Sequence, residues 1–84
     1  MVKIVIADDH DIIREGIKSV LSSCADFFVC AEAKNAQEAL EKVALTVPDV
    51  VLLDVSMGNV SGLEIIPRIK KINPKIKLYL EKED

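Results

Sequence analysis

Three aspartates end short apolar runs: Asp8 and Asp9 follow Val2 to Ala7, and Asp54 follows Val50 to Leu53. Runs of this kind suit strands buried on both faces of a parallel sheet. Ligands of open α/β sheets bind at the carboxyl ends of such strands, near a topological switch point. With the first and third strands as neighbours, Asp8, Asp9 and Asp54 would converge. Like charges that close repel one another, so three ionised carboxylates call for a cation among them. A hard divalent ion with oxygen ligands, such as Mg²⁺, answers that need and can hold a phosphate oxygen as well. An aspartate beside such an ion can act as the nucleophile in phosphoryl transfer, forming an aspartyl phosphate. That chemistry asks the protein mainly for positioning and charge neutralisation. The competing reading is electrostatic only, with the same carboxylates capping helix N-termini.

The remaining reactive side chains carry less. Cys24 and Cys30 lack metal-ligand spacing, and His10 is the one histidine. Both cysteines read as small buried hydrophobes in a reducing cytoplasm, a disulfide between them being the alternative. The first strand–helix turn offers an incoming phosphate two carboxylates and no glycine-rich cradle, which disfavours flavin or nucleotide binding. The chain has 84 residues, 50% of them hydrophobic and 30% charged, with a net charge of −3. This composition reads as one small soluble globular domain with no nucleic-acid footprint. No apolar run approaches the roughly 20 residues that span a bilayer, and no signal-peptide pattern opens the chain. The expected location is the cytoplasm.

The elements that would position the aspartates follow from periodicity. Ile13, Ile17, Val20, Leu21 and Cys24 recur at helical spacing after His10, with Asp9 or Asp11 as the expected cap and Gly16 as a mark of close packing on the sheet. Phe27 to Ala33 is a second strand. Asn35 and Glu38 form a capping-box-like start to a second helix, whose stripe is Ala36, Ala39, Leu40, Val43, Ala44 and Val47. Pro48 ends that helix and leads into the third strand. Gly58, Asn59, Ser61 and Gly62 follow it as a turn. Leu63, Ile65, Ile66, Ile69 and Ile72 line a third helix. Ser61 with Glu64 would cap it early, but a start near Glu64 is preferred because it keeps Pro67 in the first turn. Asn73 and Pro74 end it, Ile76 to Leu80 is a fourth strand, and Glu81 to Asp84 is a frayed charged tail. Alternating strands and helices imply βαβ crossovers and a parallel sheet.

The pieces IVIADDH, REGIKSVL, VCAEAKNAQEAL, PDVVLLDVSMGNVSGLEIIPRIK and NPKIKL resemble the receiver domain of two-component response regulators. DDH followed by REG is typical of the NarL/FixJ-type subgroup. The resemblance covers nearly the whole chain. It implies a flavodoxin-like (CheY-like) α/β fold, with helices on both faces of a parallel sheet of strand order 2-1-3-4. It also implies a cytoplasmic signalling module, not an enzyme, phosphorylated by a sensor histidine kinase or a small phosphodonor. Asp54 matches the phosphoacceptor, Asp9 the residue that binds Mg²⁺ directly, and Asp8 its neighbour that often acts through water. Ser56 matches the position whose backbone carbonyl completes the metal site. Met57 and Gly62 match the loop beyond, with Gly58 where the family usually has Pro.

There are departures as well. The family fold has five strands and five helices, whereas residues 1–84 supply a partial receiver domain ending after the fourth strand. Glu81 and Lys82 stand where the family carries a Ser or Thr that contacts the phosphoryl group. The lysine at the end of the fifth strand, the signalling surface of the last helices and the DNA-binding domain have no counterpart. Phosphorylation at Asp54 is therefore expected to be impaired, and an exposed fourth strand favours a homodimer. A signalling-incompetent, self-associating fragment is the alternative reading. A haloacid-dehalogenase-type phosphatase ranks lower, because Ser56 occupies the place of its second aspartate.

Overall fold

A computed structural model of the chain describes residues 1–57 and 62–81. The strands are β1 (Val2–Ala7), β2 (Phe27–Ala33), β3 (Val50–Asp54) and β4 (Lys77–Glu81). Between them lie α1 (Asp11–Ser22), α2 (Ala36–Thr46) and, after a 3-10 turn Gly62–Ile65, α3 (Ile66–Ile72). All pairings are parallel and the order is β2-β1-β3-β4. β4 begins one residue later than its apolar run, because Ile76 turns into the core before the pairing starts. Beside β1, Val29 and Ala31 pair with the consecutive residues Ile4 and Val5, so Cys30 is an extra residue in β2. Its thiol donates to the Ile4 carbonyl at 3.4 Å.

Local sequence accounts for most boundaries. At the start of α2, the Asn35 side chain accepts from the Glu38 amide at 2.8 Å, while Glu38 reaches back to the Lys34 amide at 3.0 Å. The C-cap of α2 is Val47, with φ 44°, and the fully buried Pro48 follows. Lys3 Nζ donates to the Thr46 carbonyl at 2.8 Å, supplying a cation where the helix dipole is negative. α3 starts later than the preferred Glu64 but keeps Pro67 in its first turn. Ser61 as a cap, the turn residues Gly58 and Asn59, and the frayed end from Lys82 all lie outside the described residues.

Two expectations for α1 are corrected. Neither Asp9 nor Asp11 caps it: His10 takes the N-cap position and makes no side-chain cap hydrogen bond. Asp11 is drawn instead to Arg14, one turn on. Gly16 marks no close packing either, since a Cβ built there meets nothing within 4 Å.

The two sheet faces are unequally covered. Val5, Ala7, Val51 and Leu53 point to one face, where they pack with Ala36, Ala39 and Val43 of α2 and with Ile65, Ile69 and Met57. On the other face, Leu21 of α1 meets Val2, Ile4, Val50 and Leu52 along an open apolar groove that runs on to Phe27 and Tyr79. β3 is thus fully buried on one face only, and Val50 and Leu52 are half-exposed, because α1 is the one described helix on their side. α1 itself buries its stripe only partly: Ile13, Ile17 and Leu21 are half-buried and Val20 is exposed. Cys24 and Cys30 are free and half-buried, with Cys30 packed against the core cluster.

Candidate functional site

β1 and β3 run parallel with Ala7 opposite Leu53, so both strands leave the sheet at the same end. Asp8 and Asp9 therefore emerge beside Asp54. Asp8 and Asp54 are buried, at 2% and 1% exposure, while Asp9 is open to solvent. His10, which the sequence reading passed over, joins them. Its Nδ1 lies 2.7 Å from Asp8 Oδ1, 3.0 Å from Asp9 Oδ1 and 3.6 Å from Asp54 Oδ2. One donor atom from each of Asp8, Asp9, His10 and Asp54 lies within 4.8 Å of every other.

Each buried carboxylate is held by named partners. The Asp8 amide donates to the Ala33 carbonyl at 3.0 Å, which ties the end of β1 to the end of β2. Asp8 Oδ1 accepts from the His10 amide at 2.8 Å, and Arg14 donates to the Asp8 carbonyl at 2.7 Å in a buried contact. Asp54 Oδ1 accepts from the Ser56 amide at 2.9 Å and from the Ser56 hydroxyl at 2.8 Å. Asp54 Oδ2 is buried and accepts no hydrogen bond from any described residue. A buried polar oxygen without a partner is expensive and rare in native proteins. Here it faces two more carboxylates and an imidazole. The three carboxylates are hard oxygen donors that fit a divalent cation.

Behind the site, a charged cluster fixes α1 to β2. The Arg14 guanidinium contacts Asp11 and bonds Glu32 at 3.1 Å, and Lys18 bonds Glu32 at 3.0 Å and Glu15 at 2.7 Å. Burial alone would lower Arg14, but its bonds to Asp11 and Glu32 hold its pKa above the ordinary value. Burial likewise favours a neutral Glu32, yet Lys18 and Arg14 outweigh it and hold the carboxyl below its usual range. The hydrogen bond from Arg14 also lowers Asp11. The sequence signal for this cluster was Glu32 itself, a lone charge inside the apolar run FFVCAEA.

The structure brings Asp8, Asp9 and Asp54 together, with Ser56 adjoining Asp54. At the opposite edge, Glu81 pairs in register with Asp54 and its carbonyl accepts from the Val55 amide at 3.2 Å. Glu81, one of the two residues at the end of the fourth strand, thus lies beside Asp54.

Comparison with known proteins places this geometry. Residues 4–80 match the family model for the response regulator receiver domain. The chain is 41% identical over 80 residues to the transcriptional regulatory protein LnrK of Bacillus subtilis, covering 95% of this chain and 36% of that protein. It is 37% identical over 79 residues to the response regulator protein VraR of Staphylococcus saprophyticus, covering 94% of this chain and 38% of that one. Among solved structures, the receiver domain of the response regulator NarL from Mycobacterium tuberculosis aligns with TM-score 0.89 at 31% identity, over 99% of this chain and 68% of that one. A LuxR-family response regulator from Aurantimonas aligns with TM-score 0.92 at 27% identity, over 100% of this chain and 60% of that one. The chain spans little more than a third of the length of these curated relatives. No described helix is long and apolar enough to cross a membrane. With four parallel strands in the order β2-β1-β3-β4, and a family match over nearly its whole length, the chain belongs to the response regulator receiver domains.

Proposed function

We propose that the chain is a phosphoacceptor, phosphorylated on Asp54, with Asp8, Asp9, Asp54 and the Ser56 backbone carbonyl as the ligands of a Mg²⁺ ion. The observation that carries this reading is the asymmetry of Asp54. Its Oδ1 is engaged by Ser56, while its buried Oδ2 has both lone pairs uncommitted among the described residues. One pair can meet a cation and the other can attack phosphorus, breaking the bond to the donor as the new P–O bond forms. A cation held by Asp8, Asp9, Asp54 and the Ser56 carbonyl would offset the charge of the carboxylates and of the incoming phosphoryl oxygens. Asp8 and Asp54 are rigidly set for this by strand ends, and Arg14 holds the Asp8 backbone from behind. The donor would be a sensor histidine kinase or a small acyl phosphate.

Glu81 and Lys82 stand where the family carries a Ser or Thr, so the hydroxyl that would couple a phosphoryl group to the fourth strand is replaced. Phosphorylation is therefore expected to be slow or short-lived. Phos-tag electrophoresis after incubation with acetyl phosphate and Mg²⁺ should show a retarded band that disappears with chelator and in Asp54→Asn. A band that survives in Asp54→Asn, or no band at any donor concentration, overturns the assignment.

A second reading rests on the open apolar groove between α1 and Tyr79. On it, the 84-residue chain associates with a second copy through this face and acts as a structural unit without signalling.

A further inference from the structure

His10 stands in a cap position without capping. Its backbone is extended (φ −102°, ψ 110°) as an N-cap requires, yet its side chain makes no hydrogen bond to the first turn of α1. The ring turns instead toward the carboxylates, with Nδ1 at 2.7, 3.0 and 3.6 Å from oxygens of Asp8, Asp9 and Asp54. Neighbouring ligands of an octahedral ion with bonds of about 2.1 Å lie about 3 Å apart. The imidazole nitrogen therefore sits near ligand spacing from the Asp8 and Asp9 carboxylates, with the Asp54 carboxylate somewhat farther off.

We propose that His10 Nδ1 is a fourth ligand of the cation site, so that the site prefers first-row transition ions to Mg²⁺ more strongly than its oxygens alone would. The proposal rests on the reading of Asp8, Asp9 and Asp54 as cation ligands. It is carried by two separate observations: the ring's placement, and the buried Asp54 Oδ2 that no described residue satisfies. At 3.6 Å, Nδ1 is too far to hydrogen-bond that oxygen, so the imidazole alone does not complete the cluster. An ion bonded to both would. The His10 amide is already tied to Asp8 Oδ1 at 2.8 Å, so the ring and one carboxylate are set by the same turn. The ring is 41% exposed, which gives an ion a path from solvent without opening the core. As a ligand, Nδ1 would offer its lone pair and the ring would carry its proton on Nε2.

Chemistry then sets the preference. Carboxylates suit Mg²⁺ and Mn²⁺, whereas imidazole suits Co²⁺, Ni²⁺ and Zn²⁺, and affinity for nitrogen donors rises along the first row. The 84-residue chain, free of any purification tag, is to be titrated calorimetrically with MgCl₂, MnCl₂ and NiCl₂, beside His10→Ala and His10→Asn. Its Mn²⁺ complex is to be examined by electron spin-echo modulation. Ni²⁺ affinity should fall about tenfold or more in both variants, as it does when a metal site loses a ligand or its close support. Mg²⁺ affinity should fall by much less, least of all in His10→Asn, which offers an oxygen of similar reach. Modulation from a directly bound ¹⁴N should be present in the parent chain and absent from both variants. Tighter binding of every ion in His10→Ala would show that the ring fills the cation's place, and would overturn the proposal. Equal losses for Mg²⁺ and Ni²⁺, or no ¹⁴N coupling in the parent, would do so too. If the parent binds Mg²⁺ but shows no nitrogen ligand, only His10 is lost. If it binds no ion at all, the carboxylate reading falls with it.

Discussion

Arg14 is the one buried residue of α1, and it is a cation. It is stable there because each face of the guanidinium meets oxygen: the Asp8 carbonyl, Asp11 and Glu32. Position thus passes from β2 through Glu32 and Arg14 to the backbone of a candidate ligand. The same cluster makes stability depend on acid. Glu32 titrates below its ordinary value of 4.5 when folded, so in acid the unfolded chain binds more protons than the native one. Its contribution is full above about pH 4.5 and is lost as pH falls through the lowered native value. Lys18, raised by Glu15 and Glu32, behaves oppositely: its contribution is lost only in strong alkali, above its ordinary 10.5, and is constant near neutrality. Urea unfolding of Glu32→Gln should show a loss of about 1 kcal/mol at pH 7, the size expected of a partly exposed pair. The gap from the parent should narrow as pH falls below about 4.5 and close once the lowered native group is protonated. A loss independent of pH would place the effect in packing and not in charge.

At the scale of elements, two positions run against local preference. Gly16 sits inside α1 with open space where a Cβ would go. Gly16→Ala should therefore raise stability by roughly 0.5–1 kcal/mol, the propensity difference in an exposed helix interior. It should appear as a higher urea midpoint with unchanged slope. Val47 closes α2 at φ 44°, where a β-branched side chain is strained. The conformation persists because the Val47 amide bonds the Val43 carbonyl at 2.8 Å and Pro48 is locked into the core behind it. Glycine is the usual residue at such an ending. Val47→Gly should raise the urea midpoint by the equivalent of about 0.5–1 kcal/mol, strain relief exceeding the added chain entropy. A lower midpoint would mean that the half-exposed side chain packs more than it strains.

The whole molecule is lopsided. One sheet face carries the core with α2 and α3, and the other has α1 together with an apolar groove in which Tyr79 is 56% exposed. Each large apolar side chain left bare forgoes roughly 1.5–3 kcal/mol of burial, against a total of about 5–15 kcal/mol for a domain. A second copy of the chain can cover this face symmetrically. Sedimentation equilibrium at micromolar concentration should then show dimers of the 84-residue chain, with Tyr79→Glu shifted toward monomer. Lys77, already charged on the same face, marks its rim. A monomer whose unfolding is independent of concentration would show that α1 covers enough.

From sequence alone came the element order, the strand-end placement of Asp8, Asp9 and Asp54, the Asn35–Glu38 cap and the breaks at Pro48 and Pro74. These follow from steric and hydrogen-bonding preferences acting over a few residues, which a sequence displays directly. His10, Ser56 Oγ and Arg14 did not. Their roles depend on distances between side chains brought together by the pairing of β1 with β3 and the docking of α1 on β2. The covering of β3 was misread for the same reason. An unbroken apolar run reports that a strand is paired on both sides, whereas burial of each face depends on how many helices lie across it. That number is a property of the packed layers and is written in no single segment.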